Sequence, residues 1–156
     1  MNIFFKGIDE NNWRECINLK IKQEQDVYFP HPNVVSIAEW KFNPNWVALG
    51  IYTGNEMIGF AMYGVDIEDN TMCLFRFMID ENYQGKGYGK CALDGILKKI
   101  KSENNFNEIW LSFHPESIVA ERLYSSFGFK PRITKNLCGK PTLFRCEMDI
   151  TTKIYH

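Results

Sequence analysis

A chain of 156 residues with 45% apolar and 15% aromatic content is long enough to bury one sizeable core and cramped for two. Eighteen basic against nineteen acidic residues leave a net charge of −1, which removes the simplest electrostatic reason to expect nucleic acid or an anionic membrane as a partner. The opening Met1-Asn2-Ile3-Phe4-Phe5-Lys6 is too short for a signal h-region and no apolar run approaches the roughly 18 residues that span a bilayer, so the expected setting is the cytoplasm.

In chain order, residues 2–7 read as a short strand, after which Asp9 is placed to cap an amphipathic helix with the stripe Trp13, Cys16, Ile17 and Ile21. A second short helix is expected from Val34 to Phe42, stopped by Asn43-Pro44-Asn45. Strands at Trp46 to Tyr52 and Met57 to Tyr63 flank a hairpin loop, Thr53-Gly54-Asn55-Glu56. The polar run Asp66 to Asn70 is the next turn, and Met72 to Ile79, apolar at nearly every position, is a central strand. From Gly87 to Glu103 the period becomes helical, with Cys91, Ala92, Leu93, Ile96, Leu97 and Ile100 inside. A strand at Glu108–Phe113, a helix at Glu116–Phe127 and two strands near Phe129–Thr134 and Thr142–Asp149 complete the order βααβββαβαββ. The last pair is read as a hairpin around Cys138-Gly139-Lys140-Pro141.

Five cysteines, Cys16, Cys73, Cys91, Cys138 and Cys146, are odd in number, widely spaced and set in apolar segments, which points to reduced packing residues. The histidines His31, His114 and His156 have no second ligand within a helical turn, so no metal is expected.

The most informative stretch is Gln84-Gly85-Lys86-Gly87-Tyr88-Gly89-Lys90, between a buried strand and an amphipathic helix. Glycines there let the backbone turn sharply, and free N–H groups at the helix start, aided by the helix dipole and by Lys86 and Lys90, suit phosphate oxygens. A P-loop needs Ser or Thr after Gly-Lys, where Cys91 stands, and a glycine five positions before Gly89; a dinucleotide fingerprint needs Gly-x-Gly-x-x-Gly opening the first βαβ unit. Both fail on spacing and place.

Gln84, Gly87 and Gly89 fit the pattern Gln/Arg-x-x-Gly-x-Gly/Ala, and here the chain resembles the GNAT superfamily of N-acetyltransferases. That family carries a second signature on the following helix: an Asn, Ala three on, then Leu-Tyr, ending in Gly-Phe. Here Ser117-Ile118-Val119-Ala120-Glu121-Arg122-Leu123-Tyr124 precedes Phe127-Gly128-Phe129. The resemblance covers about residues 2–149 and implies an α/β (α+β) fold: a mixed, mostly antiparallel sheet of about seven strands flanked by about four helices. One acetyltransferase domain over residues 1–150, followed by a tail at 151–156, is the expected organisation.

The activity so implied is acetyl transfer from acetyl-CoA to a small-molecule amine, with Phe77, Met78, Ile79, Gln84, Gly85, Lys86, Gly87, Tyr88, Gly89, Lys90 and Ser117 as cofactor-binding residues. In the family, the strand before the glycine loop bears a bulge whose N–H groups hold the thioester; this corresponds to Phe77 to Ile79, with Phe77 N–H as oxyanion donor. Tyr124 takes the place of the general acid, and Ser117, two helical turns earlier, stands where an Asn is usual.

Within the family the chain looks most like bacterial diamine and polyamine acetyltransferases, through Gly59-Phe60-Ala61-Met62-Tyr63-Gly64, the run from Arg76 to Glu81, and Tyr83-Gln84-Gly85-Lys86-Gly87. Those enzymes often carry a carboxylate two residues before the bulge, where Phe75 stands here, which leaves Glu24 and Asp26 as candidate bases. Glu24, Asp26, Asp66, Glu68 and Asp69 either line a cation-attracting mouth or are solvated loop charges. The open acceptors are spermidine or spermine, an aminoglycoside, an amino acid or a protein N-terminus; a coenzyme A-binding module without turnover is the competing reading. Dimers are common among relatives, and an unpaired edge in the C-terminal strand pair offers a homodimer surface.

Overall fold

The computed structural model describes residues 2–28, 31–132 and 144–150, so the expected Cys138–Pro141 turn and the tail at 151–156 lie outside the described residues. The elements are β1 (Phe4–Gly7), α1 (Trp13–Asn18), α2 (Asn33–Lys41), β2 (Val47–Thr53), β3 (Glu56–Asp66), β4 (Thr71–Ile79), α3 (Tyr88–Glu103), β5 (Glu108–Phe113), α4 (Ile118–Ser125), β6 (Lys130–Arg132) and β7 (Phe144–Asp149). Single 3-10 turns at Gln23–Gln25 and Glu81–Tyr83 aside, this is the expected order. The seven strands form one sheet in the order β1-β2-β3-β4-β5-β7-β6. Only β4 and β5 run parallel; the other neighbours are antiparallel. Among the described residues no helix is long and apolar enough to cross a membrane.

Two apolar clusters hold the layers together. Ala92, Leu93, Ile96, Leu97 and Ile100 of α3 bury their stripe against Ile51, Ile58, Tyr63, Met72, Leu74 and Ile109 of the sheet, and Leu123, Tyr124 and Phe127 from around α4 join them. Each fully buried Leu or Ile contributes about 1.5–3 kcal/mol before entropic costs. The second cluster sets Cys16 of α1 and Ile37 and Trp40 of α2 against Ala48, Tyr52, Phe60, Met62 and Met78.

Three local expectations need correction. Asp9 does not cap α1: its Oδ1 accepts the N–H groups of Asn11 (2.8 Å) and Asn12 (3.2 Å) in a preceding turn, and Asn12 is the N-cap. The helix ends at Asn18, short of Ile21, because Lys20 N–H donates to the Asp80 carboxylate (2.9 Å) and Lys20 C=O accepts from Glu81 N–H (2.8 Å), so tertiary bonds replace the next helical turn. Cys91 is exposed, not inner; it lies about 200° around the helix from Leu93, and its apolar character, not its phase, suggested burial.

The β2–β3 hairpin turns over only Gly54 and Asn55, with Gly54 at φ 57°, the positive angle that the first position of a II′ turn requires. Farther along β3, Gly64 leaves room for Trp46, whose indole stacks on Phe75 (ring centroids 4.0 Å apart) and donates from Nε1 to Val65 C=O at 3.1 Å. A Cβ at Gly64 would lie 2.4 Å from Trp46 Cδ1 and 2.9 Å from its Cα. Gly64→Ala is therefore expected to destabilise the protein by about 1–3 kcal/mol, measured by urea denaturation, through displacement of the Trp46–Phe75 stack.

Candidate functional site

β4 carries an irregularity that opens the site. Met62 pairs with Arg76 and Tyr63 with Leu74, so Phe75 has no partner on β3 and forms a bulge. The resemblance put the bulge at Phe77 to Ile79; it falls at Phe75. Side-chain alternation slips by one there. Leu74 and Phe77 both pack into the α3 cluster, while Phe75 turns to the α1/α2 cluster and Arg76 reaches Ser36 (3.1 Å) and Glu39 (3.2 Å) on α2. Parallel pairing of β4 to β5 covers only Met72–Leu74 with Ile109–Leu111, and beyond it the two strands leave a gap.

The N–H groups facing that gap follow from alternation. Asp80 N–H donates to Ile58 C=O on β3 at 2.8 Å, so Met78 also faces β3 while Phe77 and Ile79 turn their backbone groups the other way. The approach of Met78 C=O to Gly59, 2.4 Å from where a Cβ would sit, agrees. Of the three residues, Phe77 and Ile79 thus present main-chain groups to the gap; the Met78 amide is committed to the sheet. Ile79 C=O already accepts from Gln84 Nε2 at 2.9 Å.

The following loop is built for exposed N–H groups. The Asp80 carboxylate, buried, ties it down by accepting from Lys20 N, Asn82 N and Asn82 Nδ2 at 2.9–3.0 Å. Gly85 and Gly87 take φ of 76° and 85°, angles that disfavour any residue with a Cβ. Gly87 is the N-cap of α3 and the first bond of that helix is Cys91 N–H to Gly87 C=O, so Tyr88, Gly89 and Lys90 N–H groups precede it.

One cavity of about 810 Å³ is lined by Phe75, Phe77, Met78, Ile79, Gln84, Gly85, Gly87, Gly89, Lys90, Ser117, Tyr124 and Glu24. Three predicted residues lie off it: Asp26, Tyr88, whose ring meets Tyr83 edge-on, and Lys86, whose Nζ donates to Asn82 C=O at 2.8 Å. Gln84 Nε2 also reaches Gln25 Oε1 at 2.9 Å, which fastens the segment bearing Glu24 to the glycine loop. Ser117 is the N-cap of α4 and its side chain makes no capping bond.

Tyr124, half-buried, packs between Phe113 and Phe129 with ring centroids 5.5 and 5.9 Å away. Burial first, and the Cys146 thiol second, push its pKa well above that of an ordinary phenol, so it stays protonated at neutral pH.

The sequence reading missed several lining residues: Tyr28, His31, Trp110, Ser112 and His114. For the last three the signal was the period of two along β5, where Trp110, Ser112 and then His114 alternate with the core-facing Ile109, Leu111 and Phe113; Tyr28 and His31 carried none. Tyr28 and His114 rings meet at 4.9 Å, joining the first loop to the β5–α4 loop. His114 Nδ1 accepts Glu116 N–H at 3.3 Å.

A splayed β4–β5 pair with gap-facing amides and a glycine loop at a helix start define an acetyl-CoA-dependent N-acetyltransferase. The chain belongs to the Acetyltransferase (GNAT) family, whose sequence profile matches residues 13–129. It is 32% identical over 136 residues to the spermine/spermidine N(1)-acetyltransferase of Bacillus subtilis strain 168, covering 83% of this chain and 89% of that relative. Over 98 residues, 62% of this chain and 64% of the relative, it is 34% identical to the [ribosomal protein bS18]-alanine N-acetyltransferase of Haemophilus influenzae. In fold it is similar to the spermidine N-acetyltransferase of Vibrio cholerae, crystallised with CoA and spermine, at a TM-score of 0.75, 15% identity and 96% coverage of both chains.

The thiols in and around this region differ in reactivity. Cys91, in the first turn of α3, is exposed, while Cys16, Cys73 and Cys146 are buried. Burial, with Glu15 nearby, pushes the Cys16 thiol up to about 12, and burial, with Glu121, pushes Cys146 up to about 11. At pH 8 iodoacetamide is expected to modify Cys91 first among these four, read by peptide mass mapping; faster labelling of Cys16 or Cys146 contradicts the packing described.

Proposed function

We propose that this enzyme acetylates a primary amine of a polyamine, with spermidine and spermine as the leading acceptors, by direct attack on the thioester and with Tyr124 as general acid. The observation that carries the reading is that the gap-facing Phe77 amide, the glycine loop and Tyr124 all line one cavity. Support for the acceptor comes from the Bacillus relative, an enzyme named for spermine and spermidine.

The residues fit coenzyme A. N–H groups at the start of α3, with Lys90 beside them, suit a pyrophosphate, and Ile79 and Phe77 offer strand-like partners for an amide-bearing arm. The thioester supplies the acetyl group. Phe77 N–H is then the donor to the developing oxyanion, which a fixed backbone amide in a partly closed cavity stabilises more than water does. The Tyr124 phenol, protonated at neutral pH, gives its proton to the departing thiolate.

An alkylamine has a pKa of roughly 10 and must lose a proton before it attacks. Glu24, which lines the cavity, accepts that proton directly or through water; Asp26 lies off the cavity. Phe75 assists by a different route, since an apolar ring beside the amine disfavours its charged form. The Haemophilus relative favours a second reading, in which the acceptor is the α-amino group of a protein N-terminus.

Thiol release from acetyl-CoA against a panel of polyamines, simple alkylamines and N-terminal peptides tests the acceptor, and turnover confined to the peptides overturns the polyamine reading. Tyr124→Phe is expected to lower kcat about a hundredfold with coenzyme A affinity nearly unchanged by calorimetry; equal activity removes Tyr124 from the mechanism. Gly87→Ala adds about 1–2 kcal/mol of left-handed strain at the helix start and is expected to weaken coenzyme A binding about tenfold by the same calorimetry.

A further inference from the structure

The bulge leaves Phe75 without a partner on β3, yet both ends of that residue are gripped from α2. Its carbonyl oxygen accepts from Nη1 of the adjoining Arg76 at 2.8 Å. The same guanidinium donates from Nε to Ser36 Oγ at 3.1 Å and from Nη2 to the Glu39 carboxylate at 3.2 Å, both on α2. All three of its nitrogens are thus engaged, Ser36 is fully buried, and the Arg76 side chain is only 21% exposed. The Phe75 ring is held separately, stacked on Trp46, whose carbonyl accepts from Trp40 Nε1 of α2 at 3.0 Å. Ile37 and Trp40 seat α2 in the second apolar cluster, so both grips start from a fixed base.

We propose that Arg76 is the positioning residue of the oxyanion site: by tying the Phe75 carbonyl to α2 it sets the direction in which Phe77 N–H points. The proposal rests on the reading of Phe77 N–H as the oxyanion donor and names what aims it. A peptide group is planar, so a fixed Phe75 carbonyl fixes the whole plane that joins residues 75 and 76. Only the two backbone torsions of Arg76 separate that plane from the next, which carries Phe77 N–H. The side chain at this junction is itself pinned to Ser36 and Glu39, so the junction cannot turn without breaking bonds to α2.

Aim matters here because an oxyanion donor works through its position relative to the oxygen where charge develops. Glu39 balances the guanidinium charge, so Arg76 acts on the thioester through geometry more than through field. A planar fork can serve a hydroxyl, a carboxylate and a carbonyl at once, whereas the ammonium of a lysine is a single point on a flexible stem. The residue type at position 76 therefore follows from the three acceptors it must reach.

Carbon-13 NMR of acetyl-CoA labelled at the acetyl carbonyl, bound without acceptor, reads the donor directly, since an N–H aimed at the oxygen polarises the carbonyl and moves its resonance downfield. The wild type is expected to show that shift, Arg76→Lys to keep part of it and Arg76→Met to lose most of it. In Arg76→Met kcat is expected to fall about thirtyfold, less than the hundredfold or more that loss of an oxyanion donor costs, with coenzyme A affinity by calorimetry and acceptor KM within about twofold. Glu39→Gln, which keeps an acceptor oxygen, is expected to fall between Arg76→Met and the wild type. Ser36→Ala removes one bond and no charge, and carries the same comparison should Arg76→Met fail to fold. A downfield shift that survives intact in the variants overturns the clamp. So does a loss of kcat that only follows a loss of coenzyme A affinity or of folded protein, which marks a structural role alone, and so does an effect confined to acceptor KM. An absent shift in the wild type overturns Phe77 as the donor, the reading beneath the proposal.

Discussion

The gap between β4 and β5 depends on one extra residue. Phe75 cannot be paired because β3 offers no partner for it, and the mismatch reverses which way each following amide faces. Continued in the phase set at Leu74, the strand would direct its later N–H groups differently and Phe77 would not both pack on α3 and present its amide to the gap. The same slip puts Phe75 and Arg76 on the α2 side, where the guanidinium bonds Ser36, Glu39 and the Phe75 carbonyl. An irregular backbone is thereby held by two directed bonds to a helix that is itself packed on the sheet and by a third to its own bulged carbonyl.

Two apolar clusters make this irregularity tolerable. The α3 cluster fixes the far side of β4 through Leu74, Phe77 and Ile79, and the α1/α2 cluster fixes the near side through Phe75 and Met78. Beyond the strand, control passes to polar groups: Asp80 gathers Lys20 and Asn82, and Gln84 bridges Ile79 and Gln25. Loop, strand end and first segment are fastened by four side-chain and main-chain donors across chain separations as large as sixty residues.

Much of this was legible in the residues, and the divide is physical. Element order, the buried stripe of α3 apart from Cys91 and the glycine turn are local features, set by period and by the steric freedom of glycine, and each is where the sequence put it. What the sequence hid depends on partners far along the chain. A bulge is a property of two strands compared, so Phe75 gave no sign of it. The role of Asp80 depends on Lys20, sixty residues away. Ile21 continued a helical stripe, and only the competing bonds of Lys20 ended the helix before it. The β5 row of Trp110, Ser112 and His114 was readable as alternation, yet an exposed row acquires meaning only once β4 has moved aside.

The segment from Lys20 to Tyr28 is mostly exposed and is joined to the rest by polar bonds more than by apolar packing. Substitutions there cost little folding free energy, whereas changes in β4 or the glycine turn disturb the clusters beneath. Because Ile21, Lys22, Glu24, Gln25 and Tyr28 line the cavity, one wall of it can be remodelled from a surface ribbon without disturbing the packing that carries the glycine turn.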